Sequence, residues 1–185
     1  MLLLCTVLWA LIAPAHAMDK RLIGCIAHVV YGETRSEPIE DQLAAGWSVR
    51  FRAAAGLPEY GGRDLCDVAY KISHPRSNPS KTTWQYDGAH IMLSEKIAWL
   101  RSLRVARMVL SGRGRPPLPV VNFCDPRSHW KDGRNACWGH DHSRNLRRVD
   151  IGTTGNHRQY VDVRFPTIAA LVSRSVSRSR FASNR

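Results

Sequence analysis

Four cysteines at positions 25, 66, 124 and 137 constrain what this chain folds into more than any other feature, once its first segment is set aside. Residues 2–13 are almost wholly apolar, Pro14 breaks the run, and Ala15-His16-Ala17 has the small-x-small form of a signal-peptidase site. The run falls short of the roughly 20 residues of a comfortable membrane span. Residues 1–17 therefore read as a signal peptide; a retained N-terminal anchor is the alternative, because no Lys or Arg precedes the run. Cys5 leaves with such a leader. An even number of cysteines in an exported chain allows two disulfides, and three pairings are open. Cys124–Cys137 would close a short loop, and Cys25–Cys66 would tie the first helix to the region after the second. Four reduced thiols are the other reading. No CxxC occurs, so cysteine spacing gives no zinc site.

Hydrophobic spacing places three main helices. Leu22, Ile23, Ile26 and Val30 predict a helix over residues 20–32, with Gly32 ending it. Ser36-Glu37-Pro38 suits the start of a second, since the first amides of a helix have no internal acceptor. Leu43, Trp47 and Phe51 follow at i, i+4 and i+8, and Gly56 closes it. A short helical piece is expected around Leu65–Tyr70. A third long helix is predicted from about Ala89 to Ser111, with Ile97, Leu100, Leu103, Ala106 and Leu110 facing inward and Arg101, Arg104 and Arg107 outward. Val120–Phe123 and Tyr160–Val163 read as strands, and the Gly/Asp/Asn/His-rich stretch between them as surface loops. Pro166–Ser173 is a last short helix candidate. The fold class is α+β: one α-rich domain over residues 18–165 with a small β element, then a short helix and basic tail over 166–185.

Charge narrows the partner. Across 185 residues, 27 Lys and Arg stand against 15 Asp and Glu, giving +12 and a pI near 10.2. An anionic partner is expected, with nucleic acid, a membrane surface and a wall polymer all open. No Lys/Arg stripe belongs to a recognisable nucleic-acid motif, so no specific nucleic acid is expected.

Glu33 is the candidate acid. Set between two helices at a cleft wall and partly desolvated, it would stay protonated long enough to act as a general acid. The plainer alternative is a solvated loop acid or a partner of Arg35. Around it, Tyr31 and Arg35 are candidate substrate contacts, and Trp84, Tyr86 and Trp130 are candidates for stacking on apolar sugar faces. Trp138, beside Cys137, reads as a packed anchor. Glu37 reads as a cap of the second helix or a second acid; Asp87, Asp125 and Asp141 lie in loops and are candidates to position water. His129, His140, His142 and His157 invite a metal reading with Asp125 and Asp141, but such loop histidines are commonly solvated. No metal and no cofactor is assigned.

The stretch VVYGETRSEPIEDQLAAGWSVRFRA resembles the opening signature of the SleB/CwlJ-like cell-wall hydrolase family, with Tyr31, Gly32, Glu33, Arg35, Glu37, Pro38 and Gln42 in register. Asn122-Phe123 through His129-Trp130 is similar to the family's aromatic strand and following Trp, and Gly155-Asn156-His157 to its closing motif. Thr34, Ser36, Phe51 and Gln159 depart from the pattern. The resemblance implies a lysozyme- or lytic-transglycosylase-like core and a peptidoglycan substrate. It implies that Glu33 protonates the glycosidic oxygen between MurNAc and GlcNAc, and that His157 braces the cleft. A monomer in the periplasm or at the cell wall is expected, its basic surface held to anionic envelope polymers. The other readings are an amidase that frees stem peptides, with or without a metal, a non-catalytic cationic binding protein, and a membrane-active protein dependent on the Arg-rich tail.

Overall fold

In the computed structural model the described residues are 19–73, 83–129, 133, 135, 137, 148–162 and 164. The leader, Trp130, Trp138, His140, Asp141, His142, the helix expected at 166–173 and the basic tail lie outside them, as do the side chains of Trp84 and Asp87.

Helix α1 (Lys20–Thr34) begins where the Asp19 carboxylate accepts the Arg21 N–H at 2.8 Å. It runs two residues past Gly32, which corrects the expected end: Gly32 stands in the last turn because it touches another backbone, not because it terminates the helix. Glu33 is thus on the helix rather than after it. Helix α2 (Ile39–Ala55) starts after Pro38 and ends at Gly56, whose φ of +64° lets its N–H return to the Arg52 and Ala53 carbonyls. Helix α3 (Leu65–Ala69) is capped by Asp64.

Helix α4 (Lys96–Leu110) departs from expectation at its start and in its facing. A 3-10 turn, Asp87–His90, and an extended piece occupy the segment before it. Its buried face is Ala98, Ser102, Val105, Ala106 and Val109, while Ile97 and Leu100 are 69% and 54% exposed. Helix α2 approaches this face closely: a Cβ on Gly46 would lie 2.9 Å from the Val109 side chain. The arginines at 101, 104 and 107 do face solvent.

A two-stranded ribbon joins β1 (Ile72–Ser73) to β2 (Thr83–Trp84). The main sheet is open, antiparallel and three-stranded, in the order β3 (Val120–Cys124), β5 (His157–Asp162), β4 (Arg148–Thr154). Both expected strands are present, β5 beginning earlier than Tyr160; β4 falls where loops were expected. Together these elements form one mixed α/β domain.

Its core gathers Ile26, Val29 and Val30 of α1, Val49 of α2, Val105 of α4 and Val121 of β3. Two disulfides brace it. Cys25–Cys66 ties α1 to α3, and Cys124–Cys137 joins the end of β3 to the loop beyond. Arg52 is the polar clamp between α2 and β3. Its guanidinium donates to the Val121 carbonyl at 2.7 Å, to Asn122 Oδ1 at 2.9 Å and to Gln85 Oε1 at 3.1 Å. It also lies 4.4 Å from the centre of the Tyr86 ring. No helix among the described residues is long and apolar enough to cross a membrane.

Candidate active site and a carboxylate–histidine cluster

The last turn of α1 presents Tyr31, Glu33 and Arg35 toward the segment that runs from Tyr86 to Glu95. The two backbones meet at glycines: a Cβ on Gly32 would fall 1.8 Å from the Gly88 carbonyl oxygen, and one on Gly88 would fall 2.1 Å from Gly32 C. No side chain fits at either position. That contact brings the Gly88 N–H to Glu33 Oε1 at 2.8 Å, so a half-buried carboxyl group is held by a main-chain donor.

The surroundings of Glu33 are built from tyrosines and a salt bridge. Tyr31 is buried, and its hydroxyl accepts the Ser94 and Glu95 N–H groups, each at 3.1 Å. Arg35 donates to Glu95 Oε1 at 2.9 Å, with its guanidinium 5.3 Å from the Tyr31 ring centre. Tyr86 is buried and shares a 2.8 Å hydrogen bond with Ser48 on α2. Burial pushes the Tyr86 phenol above its ordinary range, and the charge of Glu33 pushes the same way against Arg52 and Ser48. Of the candidates around Glu33, Tyr31, Arg35 and Tyr86 are therefore brought to one seam. Trp84 pairs through its backbone with Ile72 in the β1–β2 ribbon.

His157, at the start of β5, faces Asp41. Asp41, in the first turn of α2, is 1% exposed and His157 is 7% exposed. The tight β4–β5 turn is shaped around Asp41. Gly155 has a φ of +57°, and a Cβ there would meet Asp41 Oδ2 at 2.2 Å. The next residue, Asn156, donates its N–H to that same oxygen at 2.8 Å, and its side-chain amide donates to Glu37 Oε2. Asp41 Oδ1 and His157 Nδ1 stand 3.4 Å apart, an ion pair when the imidazole is protonated, and among the described residues neither makes a hydrogen bond. The Phe123 ring packs edge-on against the imidazole, 5.6 Å between centres. One ligand atom each from Glu37, Asp41 and His157 lies within 4.8 Å of the others.

Sequence reasoning named His157 and treated Glu37 chiefly as a cap, but missed Asp41. An acid one turn after Glu37 on an amphipathic helix carries no local signal, because the pairing depends on a turn more than a hundred residues away. His129, in the loop after β3, has its Nδ1 3.0 Å from the Arg127 carbonyl oxygen. Asp125, also on that loop, is taken up by Arg127 at 3.0 Å.

No family model, no curated protein and no solved structure matches this chain.

Proposed function

We propose that this chain is an exported enzyme that cuts the glycan strand of peptidoglycan between MurNAc and GlcNAc, with Glu33 as the proton donor. The observation that carries the reading is the hold on Glu33, whose Oε1 receives the Gly88 N–H at 2.8 Å in a seam open only to glycine. A general acid works when it is fixed within hydrogen-bond reach of the oxygen it protonates. A main-chain donor holds one oxygen in place and leaves the other to carry the proton; the same N–H favours the ionised form, which is the form that takes up the C6 hydroxyl proton. The resemblance of the segment from Tyr31 to Gln42 to the SleB/CwlJ-like hydrolases supports the same residue. The lysozyme- or lytic-transglycosylase-like core is part of the proposal and comes from that resemblance.

The chemistry follows the transglycosylase route. Glu33 gives its proton to the glycosidic oxygen as that oxygen leaves C1 of MurNAc. The carboxylate left behind takes the proton of the sugar's C6 hydroxyl, whose oxygen bonds to C1 and leaves an anhydro end. Water-using glycosidases need a second carboxyl group, about 5–9.5 Å from the first. The sequence offers a single obvious glutamate at this position. That favours the single-acid route over a muramidase.

Tyr31 and Tyr86 serve this site by bracing it. Arg35 would meet a lactyl or peptide carboxylate in exchange for Glu95. The +12 charge would hold a monomer to the anionic envelope in the periplasm or at the cell wall. Digestion of purified sacculi with mass analysis of the fragments tests the reading. Anhydro-muropeptides are the expected product. Reducing MurNAc ends would mean a muramidase, freed stem peptides an amidase, and intact sacculi would remove the enzyme reading.

A further inference from the structure

We propose that Glu37, Asp41 and His157 form a divalent-cation site of the Zn2+ type, separate from Glu33 and independent of the glycan-cleaving reading. The argument starts from two buried atoms. Asp41 Oδ1 and His157 Nδ1 are enclosed and face each other at 3.4 Å, an ion pair when the imidazole is protonated, and among the described residues neither makes a hydrogen bond. Buried polar atoms are almost always satisfied, and leaving two facing each other unsatisfied costs free energy. A single cation between them satisfies both.

The geometry suits a small ion. With metal–ligand bonds of about 2.0–2.1 Å, the edge of a tetrahedral site is about 3.3 Å, close to the Asp41–His157 separation. Glu37 is the half-buried member, and one ligand atom from each of the three residues already lies within 4.8 Å of the others. One imidazole and two carboxylates make a mixed nitrogen–oxygen donor set, which fits Zn2+, Co2+ or Mn2+ better than the all-oxygen preference of Ca2+ or Mg2+.

The outer shell is built as well. The Asn156 N–H fixes Asp41 Oδ2, the Asn156 side chain fixes Glu37, and Phe123 holds the imidazole edge-on. Such partners orient ligands and are part of a metal site's affinity. An ion here would pin the β4–β5 turn onto the first turn of α2. Glu37 also borders a groove of about 410 Å³ with Gln42, Arg101 and Arg104, which gives the site a route to solvent.

The test uses the full chain, stripped of metal by chelation and dialysed against Zn2+, then against Co2+ and Mn2+ in parallel. Expected are one equivalent of Zn2+ retained, a visible absorption band with Co2+, and a higher Tm with metal than without. Glu33→Gln should retain metal unchanged, so loss of glycan cleavage and loss of metal are separable results. Asp41→Asn and His157→Gln should weaken Zn2+ at least tenfold. Because both sites are buried, Glu37→Gln at the half-buried position is the third variant, with circular dichroism confirming its fold. Zn2+ retention unchanged in Glu37→Gln, or a folded wild type that retains none of the three ions, would overturn the proposal.

Discussion

The backbones of Gly32 and Gly88 touch, so that a methyl group on Gly32 would sit 1.8 Å from the Gly88 carbonyl oxygen. The contact joins the last turn of α1 to the segment that grips Glu33, and it converts two glycines in a sequence into one structural requirement. Gly32→Ala and Gly88→Ala should each destabilise the fold by about 3 kcal/mol, at the upper end of overpacking costs, because the colliding atoms are main chain and cannot rotate away. Denaturant unfolding measures this. Activity on sacculi should fall even where the variants remain folded, since the Gly88 N–H moves off Glu33.

Arg52 should resist its closest replacement. Arg52→Lys keeps the charge but loses the planar fork that serves Val121, Gln85 and Asn122 together. A loss of about 2–3 kcal/mol in urea unfolding is expected from the acceptors left unpaired in a buried position. A change within about 0.5 kcal/mol, the usual range for surface substitutions, would show that the clamp contributes little.

The two disulfides should differ in worth. Cys25–Cys66 spans 41 residues and Cys124–Cys137 spans 13. Loop-closure entropy gives about 4 kcal/mol for the longer link and about 3 for the shorter. Replacing each pair by Ala and comparing urea midpoints checks the order; the reverse order would show that chain entropy is not what sets their contributions.

Acid should weaken the fold through two carboxylates. Burial works to raise the Asp162 carboxyl, but hydrogen bonds from Arg164 and Tyr60 outweigh it and hold it below its ordinary 3.8. The Arg127 hydrogen bond takes Asp125 from 3.8 to about 2. Both groups bind a proton less readily folded than unfolded, so their contribution is full above the ordinary value and lost as pH falls through the native one. Stability measured in urea should therefore be level from pH 7 to 5 and drop between about 4 and 2. Asp162→Asn should cost about 2 kcal/mol at pH 7, since it breaks an enclosed pair whose arginine is partly solvated, and its acid drop should be shallower.

How far the sequence reached depended on whether a signal was local. Helices α1 and α2 announced themselves through apolar spacing, the Ser-Glu-Pro start and the αL glycine at 56. The facing of helix α4 is not legible locally, because Ile97 and Leu100 outweigh Ala98 and Ser102 on any hydropathy count while the buried face is set by packing against other helices, Val109 against Gly46 among them. Strand β4 was hidden because it is an edge strand with mostly exposed side chains, so no alternation marks it. Glu33 was legible beside Gly32, but its Gly88 donor was not: the two residues lie 55 apart. Asp41 gave no sign at all, since its meaning comes only from the turn that folds over it.

The most direct measurement of the central claim is mass analysis of purified sacculi incubated with the wild type and with Glu33→Gln at equal concentration. The wild type should release anhydro-muropeptides, and Glu33→Gln should release at least a hundredfold less while unfolding at the same urea midpoint, as loss of a general acid predicts. Equal release by both proteins, or sacculi left intact by the wild type, would contradict Glu33 as the acid of a glycan-cleaving enzyme.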